Sequence, residues 1–138
     1  MSIRKFAKND IDKWVELAEQ DFLPEDFCSH KWFDENLDFV DGWISQDENN
    51  DWLGVFLLSR KPHSFDPNGI HFVQVWVAPQ HRGQGISKKL VQIGLENSVG
   101  SIKSVCINPG NTASINLFTG FGFTKQHPHK TWDVYLLK

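Results

Sequence analysis

The chain has 138 residues, of which 40% are hydrophobic and 22% charged, with eleven Phe and six Trp; that is room for one domain and excludes a disordered or collagen-like chain. The net charge is −3, with no basic stripe interleaved with aromatics, so nucleic-acid binding is not expected. No stretch approaches the roughly 20 apolar residues that span a bilayer, and Met1-Ser2-Ile3-Arg4-Lys5-Phe6 lacks the apolar run of a secretory signal, so a cytoplasmic protein without membrane contact is expected.

Ser2 to Phe6 alternates weakly and predicts a first strand. Asn9-Asp10 is placed to cap a helix carrying Ile11, Trp14, Val15, Ala18 and Phe22 on one face and ending before Pro24. Ser29 is placed to cap a second helix, with Phe33, Leu37 and Val40 inward and Asp34, Glu35 and Asp38 elsewhere on its surface. The pattern then turns to strands: Gly42-Trp43-Ile44 and Asp51 to Ser59 read as a hairpin around the polar Gln46 to Asn50, and Ile70 to Ala78 is the strongest strand, rich in β-branched and aromatic residues. Asp66-Pro67-Asn68-Gly69 punctuates the way into it. A Gly-containing turn leads to a helix over Ile86 to Asn97, with Ile86, Leu90 and Ile93 on one face. Ser101 to Ile107 predicts a strand, Asn111 to Thr119 a short helix, and Gly120 to Lys125 with Thr131 to Leu137 two closing strands. The order β-α-α-β-β-β-α-β-α-β-β, with no repeat or linker, indicates one α/β domain over residues 1–138, a mixed sheet with helices on its faces.

Cys28 and Cys106 lie in no CxxC or Cys/His cluster, so neither a disulfide framework nor a metal site is indicated, and both read as buried small apolar residues. Residues 1 to 60 hold six Lys/Arg against fourteen Asp/Glu, a balance of −8, while residues 61 to 138 hold eight against three, a balance of +5. Such a split suits two differently charged ligands meeting between the halves, or solvated faces that keep the protein soluble.

A strand running through Pro79-Gln80-His81-Arg82-Gly83-Gln84-Gly85-Ile86-Ser87 into a helix is an anion site in outline. N–H groups at a helix start lack partners, the peptide dipoles favour negative charge there, and glycines let the backbone approach it. His81, Arg82, Lys88 and Lys89 add positive charge. The P-loop pattern GxxxxGK[ST] is absent, and so is GxGxxG, since Gly83-Gln84-Gly85 is followed by Ile86, Ser87 and Lys88. A purely structural glycine turn reads the same way.

Val75 to Leu90 (VWVAPQHRGQGISKKL) resembles the acetyl-CoA-binding motif of the GNAT superfamily of N-acetyltransferases, R/Q-x-x-G-x-G/A, with Arg82, Gly85 and Ser87 at the marked positions and Ser87 departing from the usual Gly or Ala. Asn111-Thr112-Ala113-Ser114-Ile115-Asn116-Leu117-Phe118 with Gly120-Phe121-Gly122-Phe123 is similar to the second motif, N-x-x-A-x-x-L-Y ending in GF. The resemblance covers essentially the whole chain and implies a single layer of mixed, mostly antiparallel sheet with helices on both faces.

It also implies roles. Val75, Trp76 and Val77 fall where two strands splay so that backbone N–H groups hold pantetheine and face the thioester carbonyl. His81, Arg82, Gly83, Gln84, Gly85, Ile86, Ser87 and Lys88 fall at the cofactor's phosphates. Asn111, with Ser114 beside it, pairs with pantetheine or caps its helix. The acceptor amine needs a base; counting back from Arg82 puts the relatives' carboxylate position at His71, which is either that base or a surface strand-end histidine, with Asp38, Asp41 and Glu48 in reserve. Phe118 stands where many relatives carry a tyrosine that protonates the leaving thiolate. Ser114, Tyr135 or a water takes that task, or the ring only packs on pantetheine and catalysis is slow or lost. Trp14 reads as core; Trp76, Trp32, Trp43 and Trp52 belong to the core or to a pocket wall. The implied activity is acetyl transfer from acetyl-CoA, without a metal, to a primary amine of a small molecule or peptide by a monomer or homodimer. The alternative is a non-catalytic acyl-CoA-binding module.

Overall fold

The computed structural model describes residues 1–62, 69–129 and 132–138. The elements are β1 (Ser2–Lys5), α1 (Ile11–Glu19), α2 (His30–Asn36), β2 (Val40–Gln46), β3 (Trp52–Ser59), β4 (Ile70–Val77), α3 (Ile86–Glu96), β5 (Lys103–Ile107), α4 (Thr112–Gly120), β6 (Thr124–His129) and β7 (Trp132–Leu137). Their order is the one expected. They build one seven-stranded sheet, β1-β2-β3-β4-β5-β7-β6. Every neighbouring pair is antiparallel except β4 and β5, which α3 joins as a crossover. The turn predicted over Asp66 to Asn68 and the strand start at Thr131 lie outside the described residues.

From Val55 to Leu58 period-two alternation puts a core on each face, and Trp52 and Leu53, beside the irregular pairing at Gln46, fall out of that step. Along β3, Leu53, Phe56 and Leu58 join Phe72, Leu90, Val91, Phe118 and Phe123 on the face covered by α3 and α4. Trp52, Val55 and Leu57 join Trp14, Val15, Ala18, Phe33 and Trp76 on the face covered by α1 and α2. The whole of β3 is therefore buried.

Boundaries moved where side chains compete for the backbone. Asn36 leaves helical geometry at φ −126° and its amide donates to the Trp32 carbonyl at 2.8 Å, so α2 stops there. Leu37 enters a short 3₁₀ turn, exposed, and Val40 opens β2 instead of facing inward on a helix. Asp10 does not cap α1. Its carboxylate turns back to the Ala7 N–H at 2.8 Å and takes both ends of the Arg4 guanidinium at 2.9 Å. At the other end of the chain, Gly120 closes α4, and the N–H groups of Gly122 and Phe123 donate to the carbonyls of Thr119 and Phe118, so the predicted strand begins only at Thr124.

Candidate active site

Leu57 lies opposite Gln74 and Leu58 opposite Phe72, leaving Val73 as a bulge in β4. On its other edge β4 pairs with β5 only through Ile70, His71 and Phe72, opposite Lys103, Ser104 and Val105. Beyond Phe72 the two parallel strands part. The gap is a cleft of about 290 Å³, walled by Val73, Gln74 and Val75 of β4, by Cys106, Ile107 and Asn108 on the β5 side, by Asn111, Ser114 and Phe118 of α4, and by Phe22 and Asp26 from the stretch between α1 and α2. Asp26 is the one charged side chain among the described residues that line it.

The strand whose edge is released leads into the glycine turn. Pro79–His81 forms a 3₁₀ turn, Gly83 and Gly85 take φ +81° and +79°, and α3 starts at Ile86. A Cβ built on either glycine would meet nothing within 4 Å, so the positive φ, not crowding, selects glycine and leaves the outer side of the turn open. The first bond of α3 runs from the Lys89 N–H to the Gly85 carbonyl at 3.2 Å. The N–H groups of Gly85, Ile86, Ser87 and Lys88 therefore have no acceptor within the helix. Gln84, Lys88 and Lys89 are exposed, His81 and Ser87 half-buried.

Val75, Asn111, Ser114 and Phe118 line the cleft together. Asn111 also caps α4, its side-chain oxygen accepting from the Ser114 N–H at 3.1 Å. Phe118 is 3% exposed and packs on Phe72 and Phe123, ring centroids 6.4 and 5.3 Å apart. Trp76 points to the opposite face, edge-on to Trp14. Its indole donates to Asp21 at 3.1 Å, and Asp21 also binds the Arg82 guanidinium, whose Nε–H donates to the Val77 carbonyl at 3.0 Å. His71 stays in the paired part of β4, its ring 2.8 Å from the Ser104 hydroxyl, and does not line the cleft. Tyr135 is buried in the core on β7. Asp41 lies on β2 between Lys5 and Arg60, and Asp38 and Glu48 are exposed outside the cleft. Trp43 and Trp52 are core, and Trp32 packs on Phe33.

Cysteine 106 corrects its reading. Cys28 is buried, and burial pushes its thiol up to about 12. Cys106 is exposed, because its place on β5 turns it away from the α3–α4 core, and it lines the cleft. Partial burial raises its pKa, offset in part by a hydrogen bond with Trp132. Sequence reasoning also passed over Asp26, Asn108 and Gln74. Gln74 carried a usable signal, a lone amide inside IHFVQVWV; its oxygen accepts from the Cys28 N–H at 3.2 Å, which anchors α2's approach to the bulge.

A mixed sheet opened between two parallel strands, above a glycine turn that starts a helix, defines the architecture of an acetyltransferase domain. The sequence matches the Acetyltransferase (GNAT) family over residues 8–123, and the chain belongs to that family. No curated protein matches it. Among solved structures it is similar to a protein of Streptococcus mutans UA159 (20% identity, TM-score 0.80, covering 100% of this chain and 99% of that one). A chimera of the spermidine N-acetyltransferase SpeG from Vibrio cholerae and hSSAT follows at 15% identity and TM-score 0.75, covering 99% and 94%. Arabidopsis thaliana NAA60 in complex with acetyl-CoA is similar at 15% identity and TM-score 0.73, covering 98% and 95%. No helix among the described residues is long and apolar enough to cross a membrane.

Proposed function

We propose that the protein transfers an acetyl group from acetyl-CoA to a primary amine carried on a cationic small molecule or peptide. The observation that carries this reading is the parting of β4 from β5 beside a glycine turn that starts a helix whose first amides have no acceptor within it. Two neighbours support it by name, one a spermidine N-acetyltransferase and one holding acetyl-CoA. The open space over Gly83 and Gly85 fits a diphosphate, which the backbone of 82–87 would receive with His81 and Lys88 adding charge. Acetyl-CoA supplies the activated acetyl thioester.

The protein's part is placement and proton handling. The edge of β4 past Phe72 has lost its β5 partners, so backbone N–H groups around Val75 are available to an oxyanion; one such donor is worth about 3 kcal/mol of barrier. Asn111 and Ser114 offer polar groups to the amides of pantetheine. Asp26, which shares the cleft lining with Phe22, receives the acceptor as an ammonium ion and, directly or through water, the proton it must lose before attack. On this reading Asp26 is the base and His71 is not, since His71 lies outside the cleft lining and its ring is engaged with Ser104. The amine nitrogen forms the new C–N bond as the C–S bond breaks. Phe118 has no proton to give, so the thiolate leaves as such or takes a proton from water.

The buried, hydroxyl-free Phe118 favours one second reading, an acyl-CoA-binding module without turnover. Thiol release from acetyl-CoA over a panel of mono- and diamines separates the two. Turnover that falls about 100-fold in Asp26→Asn supports the enzyme, whereas calorimetric binding of CoA with no thiol release on any amine supports the module. Phe118→Tyr should hold or raise kcat where chemistry limits; a clear fall would mean that the cleft is built around phenylalanine.

A further inference from the structure

One carboxylate joins three elements. Asp21 sits in the turn continuing α1, its N–H and that of Phe22 both donating to the Ala18 carbonyl at 3.0 and 2.8 Å. Its Oδ2 accepts from the Trp76 indole of β4 at 3.1 Å and binds Arg82 at the start of the glycine turn. The side chain is 22% exposed, so the pair is partly shielded from water. Arg82 holds its other end on the Val77 carbonyl. The next residue after Asp21, Phe22, lines the cleft. An anion received by the amides that follow Arg82 would draw on the same guanidinium that Asp21 holds, since its fork of five donors can serve either partner. The two arrangements differ in what Asp21 holds, which is the differential contact that coupling between two sites requires.

We propose that Asp21 is a positioning residue that links the glycine turn to the acceptor side of the cleft, so that occupation of the turn by CoA is transmitted to Phe22. This rests on the assignment of the turn to CoA. The test is a CoA titration of the ¹⁵N-labelled protein, following the amides of Gly83, Gly85 and Phe22 and the indole N–H of Trp76. In the wild type all four should move with one Kd. Asp21→Asn keeps an oxygen for the indole but loses the charge that holds Arg82; the responses of Phe22 and Trp76 should fall about fivefold or more while those of Gly83 and Gly85 persist. Asp21→Glu should restore part of the response. Arg82→Lys, at an exposed position, keeps charge without the fork and should give the same loss, so the test survives a poorly folded Asp21 variant. Glycine amides that shift while Phe22 and Trp76 stay still in the wild type, or that leave both responses whole in Asp21→Asn and Arg82→Lys, would overturn the link. Glycine amides that ignore CoA would instead overturn the assignment of the turn.

Discussion

Gly85 shows how much one residue decides. At φ +79° any side chain sits in the left-handed region, and nothing lies within 4 Å to stop it, so Gly85→Val should cost about 1–2 kcal/mol of folding by strain alone. Its larger effect should be on CoA, because the new Cβ and methyls stand where the anion must approach. Calorimetry should show the affinity falling tenfold or more while thermal unfolding stays cooperative. The two thiols should differ as sharply. N-ethylmaleimide should modify Cys106 slowly at neutral pH and faster as pH rises, since its raised pKa keeps it protonated, and CoA should protect it; mass spectrometry should find Cys28 unmodified in the folded protein. The glycines were legible from the string as a turn, and both take positive φ just ahead of α3. Cys106 was not, since a lone cysteine in an apolar strand carries no sign of which face it takes.

Elements were more legible than their ends. The order of the eleven helices and strands was legible, although β6 (TKQHPH) carries no apolar periodicity and shares only Thr124 and Lys125 with the strand expected there; Asn36, Asp10 and Gly122 shift boundaries through hydrogen bonds that no propensity records. The opening of the cleft is likewise a matter of register: Val73 looks like any other valine of β4, and only the pairing with β3 shows it as the extra residue. The join between β1 and α1 can be tested by acid. Hydrogen bonds from Arg4 hold the Asp10 carboxyl below its usual range. Asp41 is opposed by partial burial, but the hydrogen bonds from Arg60 and Lys5 outweigh it and lower its pKa too. A depressed folded pKa gives stability that is complete above the unfolded value, near 4, and is lost as pH falls through the folded value. Asp10→Asn should therefore lose about 1–2 kcal/mol near pH 7, discounted because Arg4 is 41% exposed. Denaturant titrations of wild type and variant should converge below pH 4.

At the scale of the molecule, the acidic first half supplies α1, α2 and the stretch that brings Asp26 to the cleft, and the basic second half supplies the glycine turn. On the proposed reading, CoA affinity should weaken as salt rises, because Lys88 and Lys89 are exposed and screened. Lys88→Gln should lower affinity and flatten that dependence, whereas a site held by backbone amides alone would leave Lys88→Gln indistinguishable from wild type. Burial of β3 on both sides has an outcome for biosynthesis. When the ribosome has released the chain as far as Ser59, Leu53, Phe56 and Leu58 lack the cover of α3 and α4, which have not been translated, and of the buried residues of that core only Trp43 precedes them. A nascent fragment of that length bears a row of greasy side chains on an unshielded hairpin, a natural client for a chaperone until residue 120 has emerged.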